Sequence, residues 1–215
     1  MVAIDTGMVI PGRAMPFNSK SLIAMAAAAT ALLAAASFAW HGFGDNGLRA
    51  ASAIATRFAS LIFFAALAAG PLSRLLPGAA FRAIGAARRD VLLGFCASYA
   101  LYVVSVIGPH LLWAQGLTGD MAAFMIFSSI ILAAIAGAST GWFENHLGKP
   151  AQRAVLGVAA AYFWLCFVLA GIAHISGPHR PDGYYGLCLS LMVVALLLRF
   201  ADSFRAHLRG AATAS

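Results

Sequence analysis

Six apolar stretches, each close to the length a bilayer demands, cover most of this 215-residue chain, and no other feature restricts its fold as sharply. They run at about 21–40, 50–72, 91–114, 121–142, 154–175 and 184–200. A hydrocarbon core of about 30 Å takes about 20 helical residues at a rise of about 1.5 Å each, and only the last stretch is shorter. Charged residues make up 10% of the chain against 62% hydrophobic, too little polar surface for a water-soluble globule of this size. The connections are too brief to hold a soluble domain. The expected fold is therefore an all-α integral membrane protein, a six-transmembrane-helix bundle over 21–200, with an N-terminal segment 1–20 and a C-terminal tail 201–215. The first stretch lacks a clear small-residue cleavage site and exceeds a usual signal-peptide core, so it reads as a span.

The basic residues set the orientation. Arg13 and Lys20 precede the first span, Arg74, Arg82, Arg88 and Arg89 fill the second loop, Lys149 and Arg153 the fourth, and Arg199, Arg205 and Arg209 follow the last. The remaining connections carry only Arg49 and Arg180. By the inward bias of basic loops, both termini are expected on the cytoplasmic side of a bacterial inner membrane. The net charge of +7 is thus a matter of topology and implies no nucleic-acid partner. Cys96, Cys166 and Cys188 lie within apolar runs without close spacing and read as core packing. The run Ala133, Ala134, Ala136, Gly137 and Ala138 is the clearest candidate for close helix packing.

Two loops carry a family resemblance. The first is Gly70-Pro71-Leu72-Ser73-Arg74-Leu75, followed by Ala87-Arg88-Arg89-Asp90 and Val91-Leu92-Leu93-Gly94; the second is Ala138-Ser139-Thr140-Gly141-Trp142 leading to Leu147-Gly148-Lys149-Pro150-Ala151-Gln152-Arg153. Over about residues 50–175 the chain resembles the ferric-reductase-like transmembrane domain, and most of all the haem-binding membrane subunit of the bacterial methionine sulfoxide reductase system. Arg57 also stands where that family tends to carry a basic residue. The resemblance implies a six-helix bundle that holds b-type haem between histidines of facing helices and passes electrons across the membrane.

The positions matching the family's ligands hold other residues: Tyr102 on the third span, Val155 and Val168 on the fifth. Valine cannot ligate iron, and neutral tyrosine is a poor donor. A double-haem wire needs histidine pairs about four turns apart on each of two helices, and none exists. His110 lies 21 residues after Arg89 and His174 lies 21 after Arg153, so the two are expected level with each other, about 30 Å from the basic edge. Either they bridge one haem or another metal near the outer surface, or they are interfacial residues at helix ends. His41, His146, His179 and His207 read as solvated loop or tail residues.

Arg57 falls inside the second span, where a guanidinium must snorkel outward, face the bundle interior or meet an anion such as Asp45, Asp120, a lipid phosphate or a quinone-like headgroup. Tyr99, Tyr102, Tyr162, Phe163 and Trp164 place aromatics at mid-span, as ordinary packing or as filling for a vacated cofactor site. Trp40, Trp113 and Trp142 sit near span ends, where indole anchors to the interface. There is no nucleophile with a base, no phosphate-binding glycine loop and no paired carboxylates. The leading expectation is a haem-free structural or accessory subunit of a larger photosynthetic or respiratory membrane complex, with the lipid bilayer and other membrane subunits as partners. The alternative is an electron-transfer subunit with one haem b on His110 and His174, exchanging electrons with quinone or a periplasmic reductase. A small-solute transporter is a third reading.

Overall fold

The computed structural model describes residues 19–112, 118–176 and 183–212. They form seven helices: α1 (Ser19–His41), α2 (Asp45–Leu75), α3 (Ala79–Ala86), α4 (Arg88–Leu112), α5 (Gly119–Thr140), α6 (Trp142–Ser176) and α7 (Gly183–Ala212). No strand occurs among the described residues. All but α3 are long and apolar enough to cross a membrane, in keeping with the requirement that a chain in hydrocarbon satisfies its backbone polar groups internally.

Three boundaries depart from the sequence reading. The loop expected between the second and third spans contains α3, because Leu76, Pro77 and Gly78 (φ 142) reverse the chain after α2 and let eight residues fold back along it. A Cβ on Gly85 would lie 2.5 Å from Ser73 Cβ, so only glycine permits that approach. The fifth span is preceded by a helical turn over 142–147, broken from it at Gly148 (φ 82, ψ 166), with Pro150 starting the next helical segment where its missing N–H costs nothing. The last span is not short: α7 continues through the expected tail to Ala212. Its Ala, Arg and Leu residues favour helix, and Arg205 Nη1 donates to Leu75 O at 3.1 Å.

Five spans close into a ring in the order α2, α4, α5, α6, α7 and back to α2, and α1 lies outside it against α2 and α4. The inside of the ring is aromatic. Phe63, Phe95 and Phe163 are each 0% exposed, and Tyr99 and Phe167 complete the cluster. Ring centroids are 5.0 Å apart for Phe63–Phe95 and for Phe95–Phe163, 4.9 Å for Tyr99–Phe163 and 5.6 Å for Phe63–Phe167, all in tilted or edge-on geometries that suit the aromatic quadrupole.

Hydrogen bonds tie the helices where apolar lipid gives little drive to association. Thr30 Oγ1 donates to Ser98 Oγ at 2.9 Å between α1 and α4. Ser128 and Tyr162 share a bond of 2.7 Å between α5 and α6, and Trp164 Nε1 donates to Met192 O at 3.0 Å between α6 and α7. Gln152 Nε2 donates to Ala138 O at 2.7 Å, satisfying a carbonyl at the end of α5. The closest small-residue packing is on α2, through buried Ala51, Ala55, Ala59, Ala66, Ala68, Ala69 and Gly70. In the expected run on α5, Ala138 is buried but Ala133 is exposed, because that run winds around the helix instead of keeping to one face.

Replacing Phe163 by alanine leaves a cavity among five aromatic neighbours and is expected to destabilise the bundle by about 3–5 kcal/mol. Phe200→Ala, at a side chain 65% exposed, is expected to leave the thermal midpoint in the same detergent within a degree or two of wild type. Equal midpoints for the two variants would refute the aromatic core.

Candidate functional site

The helix directions give the bundle two unlike ends. Arg74, Arg82, Arg88, Arg153, Arg199 and Arg205 gather at one, and the α1–α2 turn lies at the other. A cavity of about 370 Å³ opens inside the ring in the half nearer the α1–α2 turn. All five ring helices contribute: Ser52, Thr56, Arg57 and Ser60 from α2, Tyr99 and Tyr102 from α4, Phe124 from α5, Phe163, Cys166, Phe167 and His174 from α6, and Tyr184, Tyr185 and Cys188 from α7. Its volume falls at the lower end of small-molecule sites, about 300–1,000 Å³. The aromatic cluster forms its floor, and the polar groups line its walls.

Arg57 lies twelve residues into α2, about 18 Å along the helix from Asp45. Of the alternatives open from sequence, the side chain takes the bundle interior. Its guanidinium carbon sits 4.9 Å from the centroid of Tyr184 and 5.5 Å from that of Tyr185, a double cation–π contact that stabilises a charge away from water. Tyr184 is fixed in turn: its hydroxyl donates to Arg57 O at 3.0 Å and is hydrogen-bonded to Ser60 Oγ. The sulfhydryl of Cys188 approaches the same Ser60 oxygen at 3.7 Å. The α2–α7 seam is thus a polar clasp around one arginine.

His174 shares the cavity wall. Its Nδ1 is 2.8 Å from Ala170 O, which requires the proton on Nδ1 and makes Nε2 the acceptor nitrogen of the neutral ring. The imidazole stacks on Tyr185 at 3.9 Å between centroids. Arg57, Tyr185 and His174 therefore form one stacked run across α2, α7 and α6. His110 belongs to α4, but its side chain lies outside the described residues, as do His179 and Trp113. A second hollow of about 390 Å³, bordered by Asp45, Arg49 and Met121, shares Ser52 and Tyr102 with the first.

The residues matching the family's haem ligands do not fit the group. Tyr102 is a cavity wall residue, while Val155 and Val168 are half-buried, Val168 against the aromatic core. Beneath the cavity that Tyr102 borders, the space between facing helices is taken by Phe63, Phe95, Tyr99, Phe163 and Phe167. Among the described residues no cluster of three or more His, Cys, Asp and Glu could hold a metal ion. His146 stacks on Trp142 at 4.7 Å, and Lys149 pairs with Glu144 at 3.6 Å, both on the exposed turn before the fifth span. His41 and His207 are exposed. Cys96 and Cys188 are buried free thiols, and Cys166 is half-buried.

Of the residues singled out in the sequence, Arg57, Tyr102 and His174 line this one cavity, while its Ser60, Tyr184 and Tyr185 were not singled out. The tyrosines stand at the very start of a span, where aromatics read as interfacial anchors, and nothing in spacing indicates that α7 returns beside α2. No protein-family model, curated protein or solved structure matches this chain.

Arg57→Leu removes the cation from two aromatic faces and is expected to lower stability by about 1–2 kcal/mol, read as a fall in thermal midpoint in one detergent. Tyr184→Phe deletes a hydroxyl that joins α7 to two groups of α2, Arg57 O and Ser60 Oγ, and is expected to cost about 1–2 kcal/mol. If Arg57 only snorkelled away from the bundle, Arg57→Leu would leave the midpoint unchanged.

Proposed function

We propose that this protein is a haem-free structural or accessory subunit of a larger membrane assembly, derived from a ferric-reductase-like bundle and carried in a bacterial inner membrane with both termini cytoplasmic. The observation that carries this reading is the chemistry of the matched positions, which offer two valines and a tyrosine where the family's ligands are imidazoles. Five packed aromatic rings beneath the cavity, Phe63, Phe95, Tyr99, Phe163 and Phe167, take the place of a second cofactor level. What remains is a rigid six-span body whose value to a membrane is contact.

The outward face of α1 supports the contact. Ala24, Ala28, Ala31 and Ala35 are exposed along it at helical spacing, and in lipid a row of small residues lets a helix of another subunit approach closely. The orientation rests on the arginine-rich end, which the inward bias of basic loops assigns to the cytoplasm.

One observation favours the electron-transfer alternative. His174 faces the cavity with Nδ1 tied to a backbone carbonyl, the arrangement that orients a ligating imidazole, so a single haem b held by His174 with His110 is the competing reading. An optical spectrum of protein purified from its native membrane in a mild detergent distinguishes them. The accessory reading expects no Soret band at stoichiometric amount and migration with a larger complex on a native gel. A band near one haem per chain that shifts on reduction, and is lost in His174→Ala, would replace this reading with the electron-transfer one. Topology is checked separately: reporter fusions at Gly42 and Gly78 are expected on opposite faces, Gly78 cytoplasmic.

A further inference from the structure

At the arginine-rich end a second concave site forms that the ring interior does not involve. The turn Leu76-Pro77-Gly78 reverses the chain, and the tight contact of Gly85 on Ser73 holds α3 against α2. This fold-back brings Arg82 of α3 to Arg74 of α2, while α7 adds Arg205; the three arginines line a cavity of about 240 Å³. Arg88 converges from α4, since both its Nη1 and Arg74 Nη2 lie within 3.5–3.6 Å of where a Cβ on Gly70 would stand. Arg199 is close enough for its charge to act on Arg88. One carboxylate is bonded within the group: Arg74 Nε donates to the two oxygens of Asp202 at 3.0 and 2.9 Å.

Three guanidinium groups line the cavity against one bonded carboxylate, with Arg88 and Arg199 behind them, and this local excess of positive charge is costly to assemble unless an anion joins it. The cavity rim is also apolar. Leu76 is 41% exposed and borders the cavity, and Ile84 on the same fold-back is 43% exposed. Cation pocket and exposed aliphatic groups side by side match an amphiphile, whose phosphate needs the arginines and whose acyl chains need the leucine and isoleucine. Inorganic phosphate would use only the first. The depth is right as well, because the cluster sits where α2, α4 and α7 leave their apolar spans, the level of a lipid headgroup.

We infer that the cavity between the end of α2, α3 and α7 is a binding site for the phosphate of an anionic phospholipid, held by Arg74, Arg82 and Arg205. Arg82 carries the discriminating role. Arg74 is committed to Asp202 and Arg205 to Leu75 O, so both also hold the fold together, whereas Arg82 is exposed on α3. The site is independent of the accessory-subunit reading and requires only that the bundle lie in a bilayer.

The full chain, stripped of lipid in a neutral detergent, is titrated with phosphatidylglycerol or cardiolipin in mixed micelles while the thermal midpoint is followed. A saturable rise is expected with both anionic lipids, and none with phosphatidylcholine or with inorganic phosphate at the same phosphate concentration. Arg82→Gln touches neither structural bond and is expected to fold normally and to weaken the apparent lipid affinity about fivefold, the equivalent of one interfacial cation. Arg153→Gln removes the same charge elsewhere at this end and is expected to behave as wild type. Equal loss in both variants would mean diffuse attraction without a site, and an equal rise with inorganic phosphate would mean an anion site indifferent to lipid; either result overturns the inference.

Discussion

Phe163 stands where the ring of helices faces inward, and the packing of its ring governs the rest of the molecule. It meets Phe63 of α2, Phe95 and Tyr99 of α4, and Phe167 on its own helix, so two other helices of the ring register against this one side chain of α6. In lipid the hydrophobic effect does not distinguish helix–helix from helix–lipid contact, so association depends on dispersion between well-fitted surfaces and on interhelical hydrogen bonds. Flat, rigid rings in edge-on contact provide the first. The Ser128–Tyr162, Thr30–Ser98 and Trp164–Met192 bonds provide the second at the periphery.

The same filling divides the bundle into unlike halves. Below the aromatic floor, toward the arginines, the ring leaves only a hollow of about 20 Å³ beside Phe63 and Arg88; above it lies the cavity with Arg57, His174 and the two tyrosines of α7. A cation in that half is tolerable because its charge is spread over two ring faces and the tyrosine beneath it is hydrogen-bonded to α2. The cation-bearing cavity and the arginine-rich surface thus lie on opposite sides of the aromatic layer.

At the basic end, backbone punctuation has the larger part. Pro77 and Gly78 end α2, Gly141 in left-handed conformation ends α5, and Gly148 with Pro150 breaks the approach to the fifth span. The first of these breaks folds α3 back along α2 and so brings Arg82 to Arg74 and Arg205.

Six spans, their approximate limits and the asymmetry of their basic residues were all legible in the sequence, because hydropathy over 20 residues and the cost of charge in hydrocarbon are local quantities. Arg57 stood out for the same reason. Helix neighbours were not legible: that α7 closes against α2, that α1 stays outside the ring, and that Tyr184 reaches Ser60 depend on packing between segments more than a hundred residues apart. Nor was the aromatic cluster legible as one unit. Tyr99 and Phe163 were visible at mid-span, but their meeting with Phe63, Phe95 and Phe167 follows from the rotation of each helix about its axis, which only the close fit of side chains across the ring determines.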